Sequence, residues 1–164
     1  MIIALKLKFL FGRSKKEADG IGEGEEKTVL FVCVENAGRS QMAEAFFRKF
    51  APKGYMAISA GTRPAGEINP AVIQVMKEVG LNISKQKSKI LTEDRIRNAD
   101  VRVNMGCMDK EACPTLFIHN LLEWGIEDPK GKSLERVRDI RDDIEQRVKQ
   151  LAADLVKSSS QIKL

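Results

Sequence analysis

The stretch Thr28 to Met42, TVLFVCVENAGRSQM, decides the fold of this 164-residue chain. Its first part, Thr28 to Val32, is a short apolar run rich in β-branched residues, which predicts a buried strand. Cys33 ends the run, a short loop follows, and Arg39 and Ser40 lead into a helical pattern. We therefore predict a strand–loop–helix unit with a cysteine at the point where the strand ends.

The loop has the features of an anion-binding site. Backbone N–H groups that point inward at a helix N-terminus form a nest for a negative ion, and Arg39 can add a bidentate, charge-assisted contact. The same field favours the thiolate of Cys33 and makes it a nucleophile aimed at the centre of a tetrahedral oxyanion. The expected oxyanion-binding residues are Val34, Glu35, Asn36, Ala37, Gly38, Arg39 and Ser40.

Cys33 and Ser40 each have a simpler structural interpretation. Free cysteines on strands are most often inert buried residues, but that interpretation leaves the ordered series of strand, Cys33, Arg39, Ser40 and helix unexplained. Ser40 is placed to hydrogen-bond the thiolate or a loop carbonyl, and it can also serve as a helix-starting hydroxyl.

Composition describes an ordinary soluble globular protein. Hydrophobic residues make up 43% of the chain and charged residues 31%, and 28 Lys and Arg against 23 Asp and Glu give a net charge of +5. That charge attracts oxyanions, but nucleic acid is not an expected partner because aromatics are only 5% and no basic block is interleaved with them. An odd number of cysteines, three, argues against a secreted disulfide scaffold and favours a reducing compartment, the cytoplasm.

Strand and helix patterns alternate after residue 27. Further strands are predicted at Tyr55–Ala60, Asp100–Met105 and Leu116–Glu123, although the last can also be interpreted as a helix. Helices are predicted at Gln41–Phe50, Pro70–Gly80, Thr92–Asn98 and Ser133–Val156. Gly80 is expected to end the second helix in the usual cap position, and Thr92 is expected to be the N-cap of the third. This alternation implies an α/β fold with a parallel sheet covered on both faces, and such sheets bind ligands beyond the carboxyl ends of their strands, where Cys33 lies.

The chain divides into three segments. Residues 1–27 are an N-terminal extension and flexible linker, residues 28–157 are the folded domain, and residues 158–164 are a C-terminal tail. Residues 1–11 are apolar, but lysines interrupt them, they are too short to span a bilayer, and they lack signal-peptide features. We do not expect them to contact a membrane; a weak membrane or partner contact is the alternative.

Two further cysteines, Cys107 and Cys113, follow the third predicted strand and should emerge at the same sheet edge as Cys33. Three thiols at one edge permit a relay. Cys33 takes the oxyanion, Cys107 attacks Cys33 to expel a reduced product, and Cys113 attacks Cys107 to pass the disulfide outward. The alternatives are incidental thiols, or a zinc site with His119, for which a close-spaced ligand pair is absent. We expect no metal and no cofactor.

A general acid is needed if an oxygen is to leave as water or alcohol. Asp128 in EWGIEDPKG is the candidate, because it follows the last predicted strand and precedes Pro129, which stiffens the loop. The alternative is an ordinary turn aspartate.

Together these motifs resemble the arsenate reductases built on the low-molecular-weight tyrosine phosphatase fold. The resemblance runs from about Thr28 to Val156 and rests on VLFVCVENAGRSQMAEAF, SAGTRPAGEINP, NMGCMDKEACP and EWGIEDP. It implies a four-stranded parallel sheet flanked by helices, reduction of arsenate to arsenite, and recycling by thioredoxin or a similar dithiol protein. It assigns Cys33 as nucleophile, Arg39 as anion clamp, Asp128 as acid, and Cys107 and Cys113 as the shuttle pair.

The chain departs from that family in three respects. Gly38 stands where many thioredoxin-coupled members carry a cysteine. Cys107 and Cys113 are one residue closer together than in the best-known members. Glu35 lies inside the anion-binding loop, and we expect its side chain to point outward.

Two other functions remain open. A tyrosine phosphatase needs only Cys33, Arg39 and Asp128, although Lys130 and Gly131 stand where such enzymes usually carry tyrosines. A non-catalytic oxyanion sensor is the third hypothesis, and it would not need the acid. We expect a monomer that acts on arsenate or a phosphate-like oxyanion.

Overall fold

A computed structural model of the chain describes residues 25–106 and 120–161. Its strands are β1 Lys27–Cys33, β2 Tyr55–Gly61, β3 Val101–Asn104 and β4 Leu121–Glu123. Its helices are α1 Arg39–Phe50, α2 Pro70–Glu78, α3 Glu93–Asn98 and α4 Leu134–Gln161. The predictions for residues 1–11, Cys107, Cys113 and His119 lie outside the described residues.

The strands form a four-stranded sheet in the order β2-β1-β3-β4, and every pairing is parallel. The predicted α/β class and parallel sheet are therefore confirmed. Cys33, the last residue of β1, pairs in register with Gly61, the last residue of β2. Both residues thus lie at the carboxyl edge of the sheet, where ligands bind in folds of this kind.

Alternating residues of β1 pack on opposite faces of the sheet, as the twofold period of a strand requires. Val29, Phe31 and Cys33 belong to the larger core, which α1, α2 and α4 cover. Leu30 and Val32 belong to a smaller core on the other face, which includes Ile96 of α3. Helices on both faces explain why β1 is a continuous apolar run.

Side chains and glycines set the helix ends. The Asn69 side chain accepts a hydrogen bond from the Ala71 N–H at 2.9 Å, so Asn69 caps α2 with Pro70 as the first helical residue. The helix α2 ends at Glu78, and Gly80, with φ of 80°, follows it in the left-handed conformation, so the prediction that Gly80 ends this helix is confirmed. Thr92 caps α3 as predicted.

The last helix, α4, packs its apolar stripe against α1 and α2. Six members of this stripe are buried: Val137, Ile140, Ile144, Val148, Leu151 and Leu155. The helix continues to Gln161, further than the predicted end at Val156 and into the segment predicted as a tail; in this last part the Ser158 and Ser159 hydroxyls donate to carbonyls one turn earlier. None of the described helices has the length and apolar composition needed to cross a membrane.

Candidate active site

The Cys33 loop, defined as residues 33–39, has its carbonyl groups turned outward. The segment after β2 holds three of them: the carbonyls of Val34, Glu35 and Ala37 accept hydrogen bonds from the N–H groups of Arg63, Ala65 and Asn69 at 2.9 to 3.0 Å. In a trans peptide the N–H points away from the C=O of the same unit. The N–H groups that follow these carbonyls therefore point the opposite way, towards the loop interior, which is the arrangement that the predicted anion-binding nest requires.

Asn36 holds the middle of this loop in a left-handed conformation, with φ of 48°. Its side chain bonds to four partners: Nδ2 donates to the hydroxyls of Ser40 (2.8 Å) and Ser59 (2.9 Å), and Oδ1 accepts from Gln41 Nε2 (2.9 Å) and the Lys89 backbone N–H (2.7 Å). A left-handed residue other than glycine costs free energy and persists only where its surroundings fix it. These four bonds supply that constraint.

The Cys33 thiol is buried and surrounded by donors. The Asn36 N–H donates to Cys33 Sγ at 3.1 Å, and Ser40 Oγ lies 2.8 Å from the same sulfur. Since the Ser40 hydroxyl already accepts a bond from Asn36, its single proton is placed for donation to the sulfur. Donors of this kind stabilise the negative charge of a thiolate.

Behind the loop, the polar contacts continue to a buried carboxylate. The Ser59 hydroxyl donates to Glu44, which is only 2% exposed, and the same carboxylate pairs with Arg48 and, at 3.1 Å, with Lys89 Nζ. Two cations and a hydroxyl thus compensate the buried charge of Glu44. The chain of contacts from Cys33 through Ser40, Asn36 and Ser59 ends on a fixed charge.

The sequence analysis did not identify Glu44, Ser59 or Lys89 as parts of the site. A signal for one of them was available, because Ser40, Glu44 and Arg48 follow each other at intervals of four residues and so share one face of α1. Ser59 and Lys89 join the site only through the pairing of β2 with β1 and the return of the chain beside β2. No local pattern marks either residue.

The Arg39 guanidinium joins the Cys33 loop to the loop that carries Asp128. Its Nη1 donates to the Ile126 carbonyl at 2.9 Å, and its Nη2 lies 3.3 Å from Asp128 Oδ2. The Arg39 side chain is 9% exposed and the Asp128 side chain 55% exposed. The two side chains that the sequence analysis singled out, 89 residues apart in the chain, are therefore in contact beside Cys33.

The Asp128 loop, defined as residues 126–130, also contains the turn that is expected if Asp128 is an ordinary turn aspartate. Asp128 Oδ1 accepts the backbone N–H of Lys130 at 3.0 Å, which is an Asx turn. The two interpretations of Asp128 are compatible, because one carboxylate oxygen serves the turn while the other faces Arg39.

A pocket of about 340 Å³, open mouth included, lies between the two loops. It is lined by Cys33, Val34, Glu35, Ala37, Gly38, Arg39, Asn69, Asp128, Pro129 and Lys130. The Glu35 side chain, which is 39% exposed, pairs with Lys130 Nζ at 2.7 Å. The hydrogen bond to Glu35 raises the pKa of the Lys130 ammonium above its usual value.

Gly61 is a further residue that the sequence analysis missed. A Cβ atom at Gly61 would lie 2.4 Å from the Val34 carbonyl oxygen and 2.9 Å from the Asn36 nitrogen. The Cys33 loop therefore folds directly against the end of β2, and only a residue without a side chain allows this approach.

Similarity to known proteins identifies the family of this chain. The model of the low molecular weight phosphotyrosine protein phosphatase family matches residues 28–161. The chain belongs to this family. Its four-stranded sheet and flanking helices agree with the fold that the sequence resemblance implied.

Within the family, the chain is similar to reductases and to phosphatases. It is 38% identical over 128 residues to an arsenate reductase of Brevibacillus brevis, covering 77% of this chain and 95% of that protein. A thioredoxin-dependent arsenate reductase of Corynebacterium glutamicum superposes with a TM-score of 0.69 at 36% identity, covering 84% of this chain and 65% of that one. The arginine phosphatase YwlE of Geobacillus stearothermophilus gives 0.73 at 27% identity, covering 82% and 96%. The resemblance to arsenate reductases is therefore confirmed.

The close approach at Gly61 predicts the effect of a single methyl group. In Gly61→Ala the new Cβ must displace the Val34 carbonyl, so we expect the free energy of unfolding to fall by about 1–3 kcal/mol and phosphate binding to weaken markedly. Urea denaturation and titration calorimetry with inorganic phosphate measure the two effects. Met56→Ala, at an exposed position of β2, is the matched control. Phosphate affinity equal to that of the wild type in Gly61→Ala would show that the loop does not depend on this contact.

Proposed function

We propose that this protein reduces arsenate to arsenite, with Cys33 as the nucleophile and with Cys107 and Cys113 as a disulfide shuttle. The observation that carries the proposal is the meeting of Cys33, Arg39 and Asp128 at one pocket in a chain 38% identical to a protein named as an arsenate reductase. In the proposal, residues 28–157 form the catalytic domain between an extension and a tail, and a monomer acts in the cytoplasm, where thiols stay reduced.

In the first step, the Cys33 thiolate attacks the arsenic atom of arsenate bound in the Cys33 loop. An As–S bond forms, an As–O bond breaks, and Asp128 donates the proton with which the oxygen leaves as water. The inward N–H groups and Arg39 stabilise the charge of the oxyanion during this step. The position of Cys33, Arg39 and Asp128 at one pocket supports this division of roles.

In the second step, the Cys107 thiolate attacks Cys33 Sγ. The As–S electron pair moves to arsenic, which leaves as arsenite, and a Cys33–Cys107 disulfide remains. Cys113 then attacks Cys107 and releases the Cys33 thiolate. A dithiol protein of the thioredoxin type reduces the resulting Cys107–Cys113 disulfide, and the thioredoxin-dependent name of the Corynebacterium protein supports this reductant.

A phosphatase is the second candidate function. Hydrolysis of a phosphate monoester requires Cys33, Arg39 and Asp128 but no second thiol, and these three residues lie together at the pocket. The similarity to an arginine phosphatase favours keeping this candidate.

The assay that tests the proposal measures arsenite formation with thioredoxin and thioredoxin reductase, run beside turnover of a small aryl phosphate. We expect arsenite to form catalytically in the wild type. Cys33→Ser should abolish both reactions, because this loop cannot ionise a hydroxyl. Substantial arsenite formation by Cys33→Ser would refute the assignment, and phosphatase turnover alone in the wild type would favour the second candidate.

Asp128→Asn tests the general acid. We expect arsenate reduction to slow by about a hundredfold or more, while phosphate binding measured by calorimetry survives, because an amide cannot supply the proton. Asp139→Asn, an exposed carboxylate on α4 that pairs with Arg136, is the matched control. Equal losses of binding and turnover in Asp128→Asn would identify Asp128 as a turn residue only.

The order of the thiols predicts a single-turnover variant. Cys113→Ala should give one stoichiometric burst of arsenite and then stop, with a Cys33–Cys107 disulfide trapped and visible by peptide mapping. Cys107→Ala should form little arsenite with thioredoxin but retain any phosphatase turnover. Cycling of Cys113→Ala at the wild-type rate would contradict the relay.

A further inference from the structure

The pocket mouth contains an ion pair between its two walls. Glu35 belongs to the Cys33 loop and Lys130 to the Asp128 loop, and both line the pocket. Lys130 Nζ donates to Glu35 Oε1 at 2.7 Å, so a direct bond joins one wall to the other across 95 residues of sequence. Because the Lys130 and Glu35 side chains are 68% and 39% exposed, this bond lies on the solvent side of the pocket, in the path of a ligand that extends outward between these two side chains.

Two further contacts hold the Asp128 loop near the Cys33 loop. The Lys130 backbone N–H donates to Asp128 Oδ1 at 3.0 Å, which fixes the direction in which Lys130 leaves the turn. Pro129 packs on Gly38 so closely that a Cβ at Gly38 would lie 2.9 Å from Pro129 Cγ. The absence of a side chain at Gly38 thus allows the approach that brings Lys130 within reach of Glu35.

We propose that the Glu35–Lys130 ion pair is a bar across the pocket mouth that selects compact inorganic oxyanions over phosphate esters and phosphonates with bulky groups. This inference rests on the proposed function and deepens it by naming the property of the substrate that the site selects. It also gives Glu35 a role, since a carboxylate beside an anion site is tolerable when an ammonium neutralises it.

The size of the selection follows from the strength of the bond. A compact anion such as arsenate leaves the Glu35–Lys130 bond intact. A bulky anion must break this bond, so its binding free energy becomes less favourable by at most what the ion pair contributes. Because exposed ion pairs contribute little free energy, we expect breaking this pair to weaken the affinity for a bulky anion by up to about fivefold relative to a compact one. Salt screens such pairs, so the discrimination should shrink as ionic strength rises.

The test compares the binding of inorganic phosphate with that of phenylphosphonate by titration calorimetry. The measured quantity is the ratio of the two dissociation constants, which cancels general changes in charge. Lys130→Ala removes a positive charge and Glu35→Ala removes a negative one, so simple electrostatics should move the absolute affinities of the two variants in opposite directions. The bar predicts that, in both variants, the dissociation constant of phenylphosphonate falls relative to that of phosphate by up to about fivefold.

Three controls sharpen the experiment. Lys132→Ala removes a nearby lysine that pairs with Glu127 outside the pocket and should leave the ratio unchanged. Lys130→Arg keeps a cation that can reach Glu35 and should preserve the wild-type ratio. Raising NaCl from about 0.05 to about 0.5 M should move the wild-type ratio towards that of Lys130→Ala and leave Lys130→Ala itself unchanged.

A kinetic measurement gives the same ratio independently. Acetyl phosphate and 4-nitrophenyl phosphate both release good leaving groups, so protonation by Asp128 matters little for either, but only the second is bulky. Lys130→Ala should raise kcat/KM for the aryl ester relative to acetyl phosphate. An unchanged ratio in both measurements, or the same shift in Lys132→Ala, overturns the bar.

The outcome is separable from that of the proposed function. Neither ratio involves arsenite, so a shifted ratio in a protein that forms no arsenite would refute the reductase and retain the bar. Arsenite formation with an unchanged ratio would support the reductase and refute the bar.

Discussion

The left-handed turn at Asn36 is the constraint on which the site depends. Its backbone N–H points at the Cys33 sulfur, and its side chain reaches Ser40, Ser59, Gln41 and Lys89. One residue thereby joins the end of β1, the start of α1, β2 and the chain that returns beside β2. The anion binding that we propose for this loop needs this fixed geometry, because a nest of N–H groups binds an anion well only when its donors are held before the anion arrives.

The second constraint is the closeness of backbones at the carboxyl edge of the sheet. The Cys33 loop lies against Gly61 on one side and Gly38 lies under Pro129 on another. The second approach brings the Asp128 loop to the pocket that Cys33 lines, where Arg39 bonds to the Ile126 carbonyl and faces Asp128. The larger core under α1, α2 and α4 supports this arrangement from below, since Cys33 itself belongs to that core.

Charge at the site is arranged in pairs. Glu44 is compensated by Arg48 and Lys89 behind the loop, and Glu35 by Lys130 in front of it. Because both carboxylates are paired, neither opposes an anion in the pocket with an uncompensated charge, and Arg39 remains beside the nest. Sequence reasoning singled out Cys33, Arg39 and Asp128 because the predicted chemistry requires those residue types, and the structure brings the three to one pocket. It missed Ser59 and Lys89, whose roles arise only from strand pairing.

The sequence by itself determined the fold class, the position of Cys33 at the sheet edge, and the residue types of the site. These follow from hydrophobic period and from the spacing of Cys33, Arg39 and Ser40 within one strand–loop–helix unit, which are local properties of the chain. Only the tertiary structure decided that Asp128 meets Arg39, that Lys130 bonds to Glu35 and that Gly61 must lack a side chain. Each of these depends on two segments far apart in the chain, and no local pattern encodes which distant backbones the packed sheet and helices bring into contact.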